Sequence, residues 1–153
     1  MRKTLARKRQ DSFVYRGFGF PVALLHVPMV RVRGVWTLDV DYNELSDRLL
    51  EALARKPTRL TGNEVRFIRH SLSMTLEQFA RRFSVTHPAV IKWERFGNRP
   101  TVMTWSAEKD IRLAVLRTRL HLQPPEFMEA YANLEVEAAG RPARVRLEVS
   151  RPA

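Results

Sequence analysis

His87, Ala89, Lys92 and Arg95 are spaced so that a helix beginning after Thr86 would carry them on its outer side. Their side chains suit the reading of nucleic-acid bases. A helix fits the major groove of B-DNA, and residues near its N-terminus reach the base edges. His87 can donate to or accept from a base, Ala89 is small enough to touch a thymine methyl, and Lys92 can reach a guanine edge or a phosphate. Arg95 and Arg99 follow as cations for phosphates. The competing reading is an ordinary helical hairpin, a common packing unit, with a solvated basic face.

Two short helices must position these groups. In residues 75–94, T-L-E-Q-F-A-R-R-F-S-V-T-H-P-A-V-I-K-W-E, Thr75 caps the first helix and Gln78 stands at capping-box spacing. Phe79, Ala80 and Phe83 share one buried face, and the helix stops near Phe83. Thr86 caps the second helix. Pro88 falls in its first turn, where a missing N–H costs little. Val90 and Trp93 point inward. Ahead of the pair, residues 61–72 read as a capped helix with Val65, Ile68 and Leu72 on one side.

Residues 61–100 resemble the helix-turn-helix of Xre/Cro-type repressors. The matching features are Arg69 before the turn, Thr75 and Ala80, Val85-Thr86 at the turn, and Val90-x-x-Trp93-Glu94 with Pro100 after it. The resemblance implies DNA contacts from Thr75, Thr86, His87, Ala89, Lys92, Arg95 and Arg99, and a structural ion pair between Arg69 and Glu94. The sequence departs from the family at Leu76, where a phosphate-contacting glutamine is usual, and at Pro88, where a base-reading polar residue is common. A closer likeness covers roughly residues 13–100. The order of a β-rich segment, an L-x-x-A-L-A-x-K helix and L-T-G-N-E-V-R-F-I-R is similar to MqsA-type (YgiT-type) antitoxins, with Leu60, Thr61, Gly62, Glu64 and residues 66–69 carrying the match into the helix-turn-helix. Those antitoxins hold zinc in an N-terminal module of paired cysteines. This chain has no cysteine, so the resemblance implies a zinc-free version of that module, with a cognate toxin as partner.

Composition sets the frame. A chain of 153 residues holds one domain with a full core or two small modules. Its 27 Lys and Arg outnumber 16 Asp and Glu, a net charge of +11 that draws it to a polyanion. The lack of cysteine excludes disulfides and cysteine zinc sites and fits a reducing compartment. His26, His70, His87 and His121 show no ligand spacing, so neither metal nor cofactor is expected. No apolar run approaches the roughly 20 residues that span a bilayer, and no signal-peptide h-region follows the basic start. A cytoplasmic protein with no membrane partner is expected. No P-loop, dinucleotide turn, HExxH or nucleophile elbow is present. Asp39 and Asp41 are near each other, but one ends a strand and the other caps a helix. No enzyme is expected.

The fold class these segments imply is α+β: a central Xre-type five-helix DNA-binding domain, a small N-terminal β-rich module and a C-terminal helix-strand extension. Residues 1–11 form a basic disordered tail, read more sharply as an arm that follows DNA. Residues 12–57 form a β-hairpin module plus a connecting helix. In it Val30 and Val32 alternate with arginines before Gly34, Trp36, Leu38 and Val40 follow, and an earlier strand ends at Pro28. Asp41 and Glu44 cap the connecting helix, which buries Leu45, Leu49 and Leu53 and ends at Pro57. Residues 58–121 form the DNA-binding domain, closed by a helix over 104–120 capped by Ser106 or Thr104. Residues 122–153 form the extension. There Pro124-Pro125 breaks the preceding helix, 126–138 form a short acidic helix, 140–142 turn, and Val145, Leu147 and Val149 line a strand that pairs with the N-terminal sheet of the same or a partner chain, as a sheet or dimer contact.

These readings converge on a sequence-specific, double-stranded DNA-binding repressor, a homodimer on a palindromic operator and an antitoxin-like autoregulator of a toxin-antitoxin operon. A different class of function competes with it: an inhibitor that captures a toxin or other partner through residues 12–57, with vestigial DNA binding. RNA binding through charge alone is the third.

Overall fold

Six α-helices and a four-stranded sheet appear in the computed structural model, which describes residues 4–119, 121–134 and 144–149. The architecture is mixed α+β. Strand β2 (Val22–Val32) is the spine of the sheet. Strand β1 (Arg7–Tyr15) runs antiparallel along one edge of it. The other edge is shared: β3 (Val35–Leu38) pairs antiparallel with residues 29–32, and β4 (Arg146–Glu148) pairs parallel with residues 23–25. The C-terminal strand therefore docks on the sheet of its own chain.

The basic start was expected to be a disordered tail, but from Arg7 onward it is part of β1, with Arg7 opposite Val30 and Arg9 opposite Pro28. Backbone pairing with a long neighbouring strand outweighs the polar composition of residues 7–11. Pro28 does not end its strand either. In a strand the N–H and C=O of one residue point to the same side, and the Pro28 carbonyl accepts from the Asp39 amide at 2.8 Å. The missing N–H lies on that same side, just beyond the β2–β3 register that begins at Met29, so at most one bond at the ladder's end is given up. Two residues earlier His26 has a φ of 52°, and the ladder skips the Asp11–His26 pair. That kink shifts the alternation by one residue. Val22 and Leu24 before it and Val27 and Met29 after it are all buried in the core. The β2–β3 turn is Arg33-Gly34, both at positive φ (49° and 81°), as a two-residue type I′ hairpin requires. Glycine fits there freely, whereas arginine in that conformation costs roughly 1–2 kcal/mol.

Helix α1 (Tyr42–Ala54) starts on Asp41, whose carboxylate accepts from the Asn43 and Glu44 amides. Glu44 does not close a capping box; it pairs with Arg48 one turn on. Leu49, Leu50 and Leu53 have no exposed surface. They pack α1 on α5 (Trp105–Ala114), on the π-helical turn Val115–Arg119 that continues it, and on β4. Thr104, and not Ser106, caps α5. The helix expected from residue 126 starts two residues earlier, on the prolines themselves, as α6 (Pro124–Ala132), because a helix's first turn needs no N–H donor. Residues 135–138 of the expected acidic helix, the turn at 140–142 and Leu120 lie outside the described residues.

One core runs from Val22 and Leu24 through Leu49 and Ile68 to Phe79 and Trp93. Phe67 meets Phe18 and Phe20 edge-on at 5.4 and 5.9 Å, joining the β1–β2 connection to α2 (Gly62–Ser71) across the boundary expected at residues 57–58. Residues 97–101 return beside the start of α2: the Asn63 amide donates to the Gly97 carbonyl at 2.8 Å and the Thr101 amide to the Leu60 carbonyl at 3.1 Å. Gly62 is needed for that approach. A Cβ there would lie 2.4 Å from the Trp93 carbonyl oxygen and 2.8 Å from the Gly97 nitrogen. Gly62→Ala is expected to cost about 1–3 kcal/mol, because backbone must move to admit the methyl. A melting temperature unchanged from wild type would contradict this packing.

Candidate nucleic-acid interface

Two helices joined by a tight turn place the candidate side chains. Helix α3 (Leu76–Arg82) begins with a complete capping box. The Thr75 hydroxyl accepts from the Gln78 amide at 3.1 Å, and the Gln78 side chain accepts from the Thr75 amide at 2.9 Å. Helix α2 begins the same way, with Thr61 and Glu64. Both helices end in a Schellman turn with a serine in the left-handed conformation, Ser73 at 56° and Ser84 at 56°. The amides of Ser84 and Val85 reach back to the carbonyls of Arg81 and Ala80. Val85 then packs on the core, which fixes the direction in which the chain enters the next helix.

Helix α4 (His87–Glu94) starts on Thr86, whose hydroxyl accepts from the Ala89 amide at 3.2 Å. Phe79 and Phe83 of the preceding hairpin arm stack edge-on at 4.7 Å, and α3 and α4 pack against each other. Glu94 locks the far end. It is 6% exposed, and Arg69 grips it from α2 with two bonds, Nε to Oε1 at 2.7 Å and Nη2 to Oε2 at 3.3 Å. The same guanidinium donates to the Met74 carbonyl at 3.1 Å, so it also ties down the turn before α3. Arg66 approaches Glu94 from the exposed side at 3.8 Å. Arg69 and Glu94 therefore serve the hairpin's geometry and do not face outward.

The outer side of α4 is open. Thr86, His87, Pro88, Lys92, Arg95 and Arg99 are exposed, as is Thr75 at the start of α3. Among the described residues, the side chains of His87, Lys92 and Arg95 make no hydrogen bond or ion pair, and Arg99 rests 5.4 Å from the Phe96 ring. Ala89 differs from expectation. It is half-buried and packs on the core, since it lies one turn before the buried Trp93. Ile91 takes the outward place instead. It is half-buried like Ala89, but lies one turn from both His87 and Arg95, and so belongs to their stripe. The sequence signal for it was the i, i+4, i+8 series His87, Ile91, Arg95.

A second set of charged groups, buried, was not foreseen. Glu108 and Arg112 of α5 have no exposed surface and pair at 2.8 Å. Arg59 donates to the other Glu108 oxygen at 2.9 Å, and the Leu60 amide joins it at 3.1 Å. Arg112 further donates to the carbonyls of Lys56 and Thr58. Burial pushes the Arg112 pKa down, and the adjacent Glu108 carboxylate opposes that shift. Nearby, Lys56 and Glu64 form another buried pair, 2.7 Å apart. Together these bonds fasten the 56–60 connection to α2 and α5. Glu108 and Arg112 share the stripe of Ile111 and Val115, so helical spacing alone put two charges on the apolar side.

The histidines stay apart. His26 pairs with Glu148 at 2.9 Å, His70 lies beside Arg69, and His87 stands on the outer side of α4. Among the described residues no group of His, Asp or Glu is placed to hold a metal ion. No helix there is long and apolar enough to cross a membrane. No family model, no curated protein and no solved structure matches the chain.

Proposed function

We propose that the chain is a sequence-specific DNA-binding regulator in which residues 58–121 form an Xre/Cro-type helix-turn-helix domain and α4 is the recognition helix. One observation carries the reading: the outer side of α4 presents His87, Ile91, Lys92 and Arg95, whose polar side chains meet no charged or hydrogen-bonding partner among the described residues, while Arg69 and Glu94 hold the helix from behind. Rigid placement of an unengaged basic face is what base readout requires. The net charge of +11 supports a polyanionic partner. Ile91, in place of Ala89, is suited to contact a thymine methyl.

A single helix in one groove reads too few base pairs for genomic selectivity, so the regulator acts as a homodimer on a palindromic operator with half-sites about 34 Å apart or a multiple of that. Its setting is an antitoxin-like autoregulator in the cytoplasm, with a cognate toxin as second partner, and it acts by binding and not by catalysis. The resemblance to MqsA-type antitoxins supports that setting.

Two substitutions separate the roles. Lys92→Ala should narrow the gap between operator and scrambled duplex by roughly 1–3 kcal/mol, because a base-edge contact is lost. Arg99→Ala should weaken both duplexes alike and lower the salt slope by about one unit, leaving the gap nearly intact. Titration of each variant against both duplexes at two salt concentrations decides. If Lys92→Ala and Arg99→Ala behave alike, α4 is not reading bases.

A further inference from the structure

The basic start of the chain and the β2–β3 hairpin converge on one end of the sheet. The register sets Lys8 opposite Met29 and Arg9 opposite Pro28, on the strand that also carries Arg31 and turns at Arg33. Arg7 is matched by Asp39. The other four cations meet no carboxylate among the described residues. Lys8 lies 4.5 Å over the Trp36 ring, Arg9 donates to the His26 carbonyl at 3.1 Å, and Arg31 to the Gly34 carbonyl at 3.3 Å. The Arg33 side chain makes no bond at all among the described residues.

Arg33 is the informative residue. Its φ of 49° is that of a turn position which asparagine, aspartate or glycine fills with less strain. An arginine is strained there, and its side chain returns no contact to the fold. Its neighbours Val32 and Val35 are exposed as well, at 42% and 64%. Four of these five cations are arginines, whose planar fork matches a phosphate with two parallel bonds.

We infer that this hairpin end is a second DNA-contacting surface: Arg31 and Arg33, backed by Lys8 on the face of Arg31, bind the phosphate backbone of duplex DNA. The inference rests on the DNA-binding reading of α4 and adds to it a grip that is blind to sequence. Charge complementarity selects the partner, since a cluster with one internal carboxylate match suits a continuous line of phosphates. The expected arm at residues 1–11 thus has a structured counterpart from Arg7 onward.

The test uses the full chain and Arg33→Asn, which installs a residue the turn prefers while removing the cation. Its melting temperature should equal or exceed that of wild type. Its affinity should fall on operator and scrambled duplex by the same factor. The slope of log affinity against log salt should drop by about one unit, and by about two for Arg31→Gln with Arg33→Asn. An unchanged slope and affinity in both variants overturns the inference while leaving α4 untouched. A loss seen on a single-stranded RNA of equal length but not on the duplexes overturns it in favour of an RNA partner. A wild type that binds no duplex sinks the α4 reading and this inference together.

Discussion

Glu108→Ala should lower the stability of the fold by about 3–5 kcal/mol, the range expected when one member of a buried ion pair is removed. The carboxylate faces two guanidinium groups, Arg112 with no exposed surface and Arg59 with 23% of its side chain exposed. Arg59 can turn toward water, but Arg112 cannot. Burial already pushes the Arg112 pKa down, and Glu108 is the main group opposing that shift. Arginine does not shed its proton in a protein, so the charge would stay, uncompensated. The Leu60 amide would lose its acceptor too. For a chain of this size the loss corresponds to a melting temperature lower by roughly 6–20 °C. Glu108→Gln should fall between, because it keeps an acceptor and loses the charge. A melt within a degree or two of wild type would show that water reaches the Arg112 guanidinium.

Arg69→Ala should also cost about 3–5 kcal/mol, and for the same kind of reason. Glu94 is 6% exposed and, among the described residues, would keep only the cation of Arg66, 3.8 Å away on the solvent side. The Met74 carbonyl would lose its donor before α3. Stability and DNA binding should part company in this variant. Well below its lowered melting temperature, the folded fraction should still prefer operator over scrambled duplex, since Arg69 does not face outward. An unchanged melt with lost DNA binding would assign Arg69 to the interface instead.

Short-range chemistry made much of the helical body legible in the sequence. Thr61, Thr75, Thr86 and Thr104 each cap the helix that follows by a bond to an amide three residues on, so cap and helix are written side by side. Periodicity likewise identified Leu49, Leu53, Ile68 and Trp93 as inward. What stayed hidden depends on distant partners. Residues 7–10 look like a solvated tail until β2 pairs with them. Pro28 looks like a strand end until Arg9 of β1 pairs with it on one side and the Asp39 amide bonds its carbonyl on the other. Arg112 is settled by the carbonyls of Lys56 and Thr58, and Glu108 by the Arg59 guanidinium and the Leu60 amide, all distant in the chain. In the candidate interface the local rule misled once. Spacing against the inward Val90 and Trp93 predicts Ala89 on the outer face, but one helical turn links it to the buried Trp93 and it packs on the core, whereas Ile91 lies one turn from His87 and Arg95.

Selection from a pool of randomised duplexes, with wild type and Lys92→Ala in parallel, tests the recognition role of α4 most directly. The wild type should enrich a two-fold symmetric motif with half-site centres about 10 base pairs, or a multiple of that, apart. Lys92→Ala should retain binding but relax the preference at one symmetric pair of positions within it. Retention of DNA by the wild type with no sequence enriched over the input pool, or an identical motif from both proteins, would contradict base reading by this helix.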